Sequence, residues 1–158
     1  KKKHQEFVCN FVGKWSTVTE EQFFSLAQQL NVEQEVHYLG AKYGTDKVEV
    51  LKNADALVFP TYYHGETFGL VLLEAMEYGL PCISTYEGGI PSVVDDGETG
   101  WLVSARDIDA LIAKMMWLVK HPMEGLEMGK RGRDKFLHEF TLGTFEKRMA
   151  DILSSQVC

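Results

Sequence analysis

No apolar run in the sequence exceeds a handful of residues, Leu70 to Leu73 being typical, where a bilayer span needs about 18 or more. A charged-then-apolar leader pattern is missing as well. Neither a spanning nor a secreted protein is expected, and the cytoplasm is the default compartment, with a position peripheral to a membrane open to a longer parent. Positive charge is short: 16 Lys plus Arg stand against 23 Asp plus Glu, a formal net charge of −7. That sign is wrong for a domain that binds by neutralising nucleic-acid phosphates, so no nucleic-acid partner is expected. Cys9, Cys82 and Cys158 are odd in number and widely spaced, which excludes paired metal-type spacing and fits thiols in a reducing compartment. Repeats, low-complexity tracts and linkers are lacking too. One local absence bears on chemistry. From Asn53 to Ala105 there is no Lys or Arg, against eight acids: Asp55, Glu66, Glu74, Glu77, Glu87, Asp95, Asp96 and Glu98.

What is present is a globular mixture, 158 residues with 45% apolar and 25% charged, enough for one ordinary domain but not for a two-domain enzyme. Glu6 to Val12 is a short, mostly apolar run stopped by Gly13, the pattern of a strand buried on both faces. Thr19, followed by Glu20, Glu21 and Gln22, reads as a capped helix start, and that helix ends at Asn31. Further strands are expected at Val36 to Leu39, Ala56 to Phe59, Cys82 to Thr85 and Gly100 to Val103. Between and after them, helices are expected at Thr45 to Asn53, Gly69 to Tyr78, Ile108 to Lys120 (entered at Asp107), Met123 to Phe140 and Phe145 to Leu153. Compact strands alternating with helices predict an α/β fold, a Rossmann-like doubly wound parallel sheet.

In such sheets ligands sit beyond the carboxyl ends of the strands. The segment Pro60-Thr61-Tyr62-Tyr63-His64-Gly65-Glu66-Thr67-Phe68-Gly69 runs from strand to helix there, so amides near Gly69, Leu70 and Val71 could meet a phosphate. Equally, Gly65 and Gly69 could only shape a turn. Glu74 lies five residues beyond Gly69, about 7.5 Å along a helix axis, a fitting place to accept ribose hydroxyls. Glu74 and Glu77 could instead form a narrow solvated stripe. His64, Tyr62 and Tyr63 read as loop residues. The basic run Lys130, Arg131, Arg133 and Lys135 reads as a solvated face, and Met115, Met116 and Trp117 as core.

Glu66 and Glu74 with seven residues between them, then Gly79-Leu80-Pro81, Gly88-Gly89-Ile90-Pro91 and Asp96-Gly97-Glu98-Thr99-Gly100, follow in an order that resembles the donor-binding, C-terminal half of group 1 retaining glycosyltransferases of the GT-B class. The resemblance runs from about Val8 to Phe140. It implies a nucleoside-diphosphate sugar as donor and a hydroxyl acceptor, saccharide or lipid-linked, with no metal and no other cofactor. It implies that Glu66 contacts the transferred sugar as the catalytic-site carboxylate and that Glu74 holds the ribose. Gly65, Thr67, Phe68, Gly69, Leu70 and Val71 would then line the sugar and diphosphate, with Gly40 and Lys42 bordering the base. In that family transfer is explained by front-face attack, with the leaving diphosphate helping to deprotonate the acceptor. The resemblance further implies a missing N-terminal domain and a missing first strand that carries donor-binding cations. It leaves Lys14 and Lys42 as the nearby bases, and the unpaired strand edges either closing on one another or promoting self-association. A sugar-nucleotide epimerase and a non-catalytic nucleotide-binding module are the alternatives.

Overall fold

The computed structural model describes residues 7–155, and the chain divides into two compact units, one ending at Val50 and the other beginning at Leu51. In the first, β1 (Cys9–Val12) and β2 (Val36–Gly40) pair in parallel, with a register shift between Phe11 and Val12. Helix α1 (Glu20–Leu30) makes the crossover. Its start is locked reciprocally: the Gln22 amide donates to Thr19 Oγ1 at 3.2 Å and the Thr19 amide to Gln22 Oε1 at 2.9 Å. Its end is Asn31 in the left-handed conformation, φ 54°. Phe11 meets Phe23 of α1 edge-on at 4.7 Å, and Trp15 stacks on Tyr38 at 4.0 Å. This aromatic cluster covers one side of β1 only. Val12 is 44% exposed, and Asn10 and Phe11 are exposed as well, so the expectation of burial on both faces fails. Helix α2 (Gly44–Lys52) crosses into the second unit, where Leu51 joins the core.

The second unit holds β3 (Leu57–Phe59), β4 (Cys82–Thr85) and β5 (Gly100–Val103), all parallel in the order β3-β4-β5. Among the described residues each unit thus holds its own hydrogen-bonded set of parallel strands. Alternation of strand and helix sets the parallel sense; it does not specify which strands become neighbours. Central β4 is wholly buried. Helix α3 (Leu70–Glu77) returns the chain from β3 to β4 and buries Leu72, Ala75 and Met76 against Cys82 and Leu102. A short α4 (Ile90–Val93), not expected from the sequence, adds Ile90 and Val93 to that core.

Helices α5 (Ile108–Lys120), α6 (Pro122–Glu139) and α7 (Leu142–Ser155) complete the unit. Asp107 caps α5 by accepting from the Ala110 amide at 2.9 Å. The expected core role of the Met115–Trp117 run holds poorly: Met116 is exposed, and Trp117 packs edge-on against Trp101. Helix α6 buries Gly125, Met128, Gly129 and Gly132. Its basic run is not a plain solvated face. Lys135, only 12% exposed, pairs with Asp95 at 2.8 Å, and Arg131 Nε donates to the Glu98 carbonyl at 2.8 Å. The downstream bases therefore neutralise acids of the base-free segment. Among the described residues, no helix is long and apolar enough to cross a membrane.

Burial pushes the Cys82 thiol up from 9.0 to about 12, so it stays protonated in the folded chain and ionises near pH 9 once unfolded. A raised folded pKa contributes stability below the unfolded value that is lost as pH rises through the folded one. Thermal midpoints should therefore fall from pH 9 towards 12 more steeply in the native chain than in Cys82→Ala. Parallel curves for the two proteins would contradict this.

Candidate functional site

Residues 60–69 leave the carboxyl end of β3 and enter α3. Two buried hydroxyls of β4 hold the start of this loop: Ser84 Oγ donates to the Phe59 carbonyl at 2.7 Å and Thr85 Oγ1 to that of Thr61. A turn brings the Glu66 amide to the Tyr63 carbonyl at 2.9 Å. The Tyr63 ring folds over Gly65, where a Cβ would lie 2.6 Å from it. At the far end the loop rests on Gly88 and Gly89. The Gly89 amide donates to the Thr67 carbonyl at 3.1 Å, and a Cβ at Gly88 would lie 1.7 Å from the Glu66 carbonyl oxygen. Only glycine permits that approach, and Gly88 also has φ +51°.

Glu66 Oε1 accepts from the Gly69 amide at 2.8 Å and the Phe68 amide at 3.3 Å, so the half-buried carboxylate closes the loop just ahead of α3. Those two amides, expected to face a diphosphate, are engaged by Glu66. Gly69 itself stands in the left-handed conformation, φ +70°, where the loop turns into α3. Among the described residues Glu66 Oε2 and the amides of Leu70 and Val71 have no partner. Negative charge is favoured there by the helix dipole as well as by the free donors.

Glu74 is half-buried whereas Glu77 is exposed, so the two carboxylates do not share one solvated stripe. Leu70, 68% exposed, and half-buried Val71 open the helix. Thr67 is exposed, and half-buried Phe68 packs its ring edge-on to Phe140 at 5.8 Å. Gly65 to Val71 and Glu74 thus lie along one loop and helix of the second unit. Gly40 and Lys42 belong to the first: Gly40, φ +71°, ends β2 and accepts from the Gly13 amide at 3.1 Å, with half-buried Lys42 just after it. His64 Nδ1 lies 3.4 Å from Glu87 Oε2 across the two loops. Tyr86 donates to Asp96 Oδ2 at 3.0 Å, which together with the carboxylate's charge raises the phenol pKa.

The sequence signals the paired glycines but not their role. Ser84 and Thr85 give no signal at all, since short polar side chains in a buried strand acquire meaning only from the carbonyls opposite.

A family model described as glycosyl transferases group 1 matches residues 1–135. The chain belongs to that family. Among the relatives of this group 1 chain, D-rhamnosyltransferase WbpZ of Pseudomonas aeruginosa is 38% identical over 107 residues, 67% of this chain and 28% of that protein. The putative colanic acid biosynthesis glycosyltransferase WcaL of Salmonella typhimurium is 30% identical over 149 residues, covering 91% of this chain and 36% of its own length. Of solved structures, Anabaena HepE in complex with UDP superposes with a TM-score of 0.82 at 21% identity, over 94% of this chain and 41% of that one. That likeness speaks for the fold: an α/β, Rossmann-like arrangement as in glycosyltransferases. The group 1 chain spans about a third of the length of the curated relatives it matches.

Proposed function

We propose that this chain is the donor-binding part of a glycosyltransferase that moves a sugar from a nucleoside diphosphate to a hydroxyl acceptor with retention, in polysaccharide or glycoconjugate assembly. One observation carries the reading: Glu66 is anchored through Oε1 to two amides while Oε2 stays open beside the free N–H groups of Leu70 and Val71. A carboxylate held in this way presents an acceptor for a sugar hydroxyl without having to be ordered on binding, next to donors suited to a diphosphate. Glu74, about 7.5 Å on from Gly69 at 1.5 Å per residue, takes the ribose hydroxyls. Chemistry is then mostly positioning together with stabilisation of the departing diphosphate, which itself takes the acceptor proton. No metal or other cofactor enters this reading, and the remaining half of the cleft comes from a second domain of a longer protein. HepE, whose structure contains UDP, lends support to a nucleotide donor of this kind.

The test is paired. Glu74→Gln should weaken UDP binding to the chain by about ten- to a hundredfold, the scale of a lost charge-assisted hydrogen bond. Glu66→Gln keeps an oxygen for the two amides, so it should leave UDP affinity nearly unchanged and lower transfer by the whole protein from the intact donor. Calorimetric titration and turnover read the two separately. Wild-type behaviour of both variants would overturn the assignment.

A further inference from the structure

Helix α5 is built mostly from apolar residues, yet none of its 13 residues is buried. Its inner side is fixed by contacts: Lys114 and Trp117 lie against the Trp101 ring of β5, and Leu118 reaches α6, where its Cδ2 would lie 3.0 Å from a Cβ at Gly125. At about 100° per residue the opposite side carries Ile108, Ile112, Met116 and Val119, all within about 80° of one another. These four are exposed, from 68% at Ile108 to 38% at Met116 and Val119. No charged residue interrupts the stripe.

Two charges border it, and they stand on the same flank. Asp109 and Lys120 are about three turns apart along the helix and about 20° apart seen down its axis. Each suits its own end of the helix dipole, and neither has an ion-pair or hydrogen-bond partner for its side chain among the described residues. A stripe bordered in this way is complementary to itself. When two copies of one helix pack antiparallel about a twofold axis, like flanks face one another and every contact occurs twice. With the axis between Ile112 and Met116, Ile112 meets the partner's Met116 and Ile108 approaches the partner's Val119. Asp109 then comes opposite the partner's Lys120. A parallel pair would bring unlike flanks together and leave both charges without a partner.

We infer that the outer face of α5 is a self-association surface, on which a second copy of this chain packs its own α5 antiparallel, with Asp109 and Lys120 forming two reciprocal ion pairs. Continuous burial of apolar side chains drives the association, and the paired charges fix its direction. An anionic membrane is a poor match for the same face, because the chain carries a net charge of −7. One helix pair about 20 Å long covers less than a standard interface of about 1,600 Å², so the dimer is reversible. The surface belongs to a different element from the loop and helix assigned to the donor, and it stands whether or not that reading does.

The experiment is analytical ultracentrifugation of the chain from micromolar to millimolar concentration, where a reversible monomer–dimer equilibrium is expected. Ile112→Lys should weaken association at least about tenfold, since it replaces a buried apolar contact by a charge at two places in the dimer. The thermal midpoint of the dilute protein should stay unchanged, because Ile112 is exposed in the monomer. Asp109→Lys and Lys120→Asp should each weaken association at least about threefold, by setting like charges opposite one another twice. The double exchange should bring it back to within about twofold of the native chain, and added salt should narrow these differences. Helix-dipole effects alone would predict the opposite, a double exchange no better than either single change. A chain that stays monomeric throughout, or an assembly indifferent to Ile112→Lys, as pairing through open strand edges would be, overturns the inference. So does a double exchange that fails to restore the dimer.

Discussion

Gly88→Ala is expected to destabilise the chain by about 2–5 kcal/mol, from overpacking of about 1–3 and a left-handed backbone of about 1–2. The same change should disconnect Glu66 from its amides. The added methyl would lie 1.7 Å from the Glu66 carbonyl oxygen, and the obstacle is backbone, so no rotamer relieves it. The loop must retreat, and the bonds from Glu66 Oε1 to the Phe68 and Gly69 amides depend on its present course. Gly97→Ala is the matched control. Its φ of +83° carries the same backbone cost, but the nearest atoms to its Cβ are ring carbons of Trp101 at 3.5 Å and beyond, ordinary contact. Urea unfolding of the two variants isolates the collision, and the Phe68 and Gly69 amide resonances report the bonds to Glu66. Equal loss in both variants would mean that the loop does not rest on Gly88.

Gly129→Ala should be the second severe change, and its sign runs against helix propensity. Alanine inside a helix is better than glycine by about 0.5–1 kcal/mol. At Gly129, however, a Cβ would lie 1.9 Å from the Gly79 carbonyl oxygen, in the turn between α3 and β4. Helix α6 must then lift from that turn, so a net loss of at least about 2 kcal/mol is expected, near the upper range for overpacking once propensity has been credited. Gly143→Ala in α7 meets nothing within 4 Å and should stabilise by up to about 1 kcal/mol. Opposite signs in two helical glycines of one chain would demonstrate the close approach, and a gain at both positions would contradict it.

These glycines also mark what a sequence can and cannot convey. Local chemistry was legible. The Thr19 and Gln22 capping pair, Asn31 at the helix end, Asp107 ahead of α5 and the bounds of β4 and β5 all follow from residues within a few positions of one another. Glu66 and Glu74 stood out as a pair only through the family resemblance, since the local pattern left a solvated stripe of Glu74 and Glu77 open. Features decided by distant backbone were not legible. The pairing of the strands within each unit, the contact of Gly88 with Glu66 and that of Gly129 with Gly79 depend on pairings that no local pattern encodes. The bonds from the Phe68 and Gly69 amides to Glu66 were hidden for a smaller reason: they turn on the conformation of the loop, which the sequence permits but does not dictate.

The ion pairs between α6 and the loop before β5 have a consequence for the order in which the protein is made. Asp95 and Glu98 leave the ribosome well ahead of Lys135 and Arg131, 40 and 33 positions later, and Gly79 ahead of the helix that packs on its carbonyl. Until α6 has been synthesised, the nascent second unit carries an acidic segment without its neutralising bases and an apolar α3 without its cover. Such an intermediate repels itself electrostatically while exposing Met76, which packs beside Gly132, and this unit becomes stable only once α6 has been made.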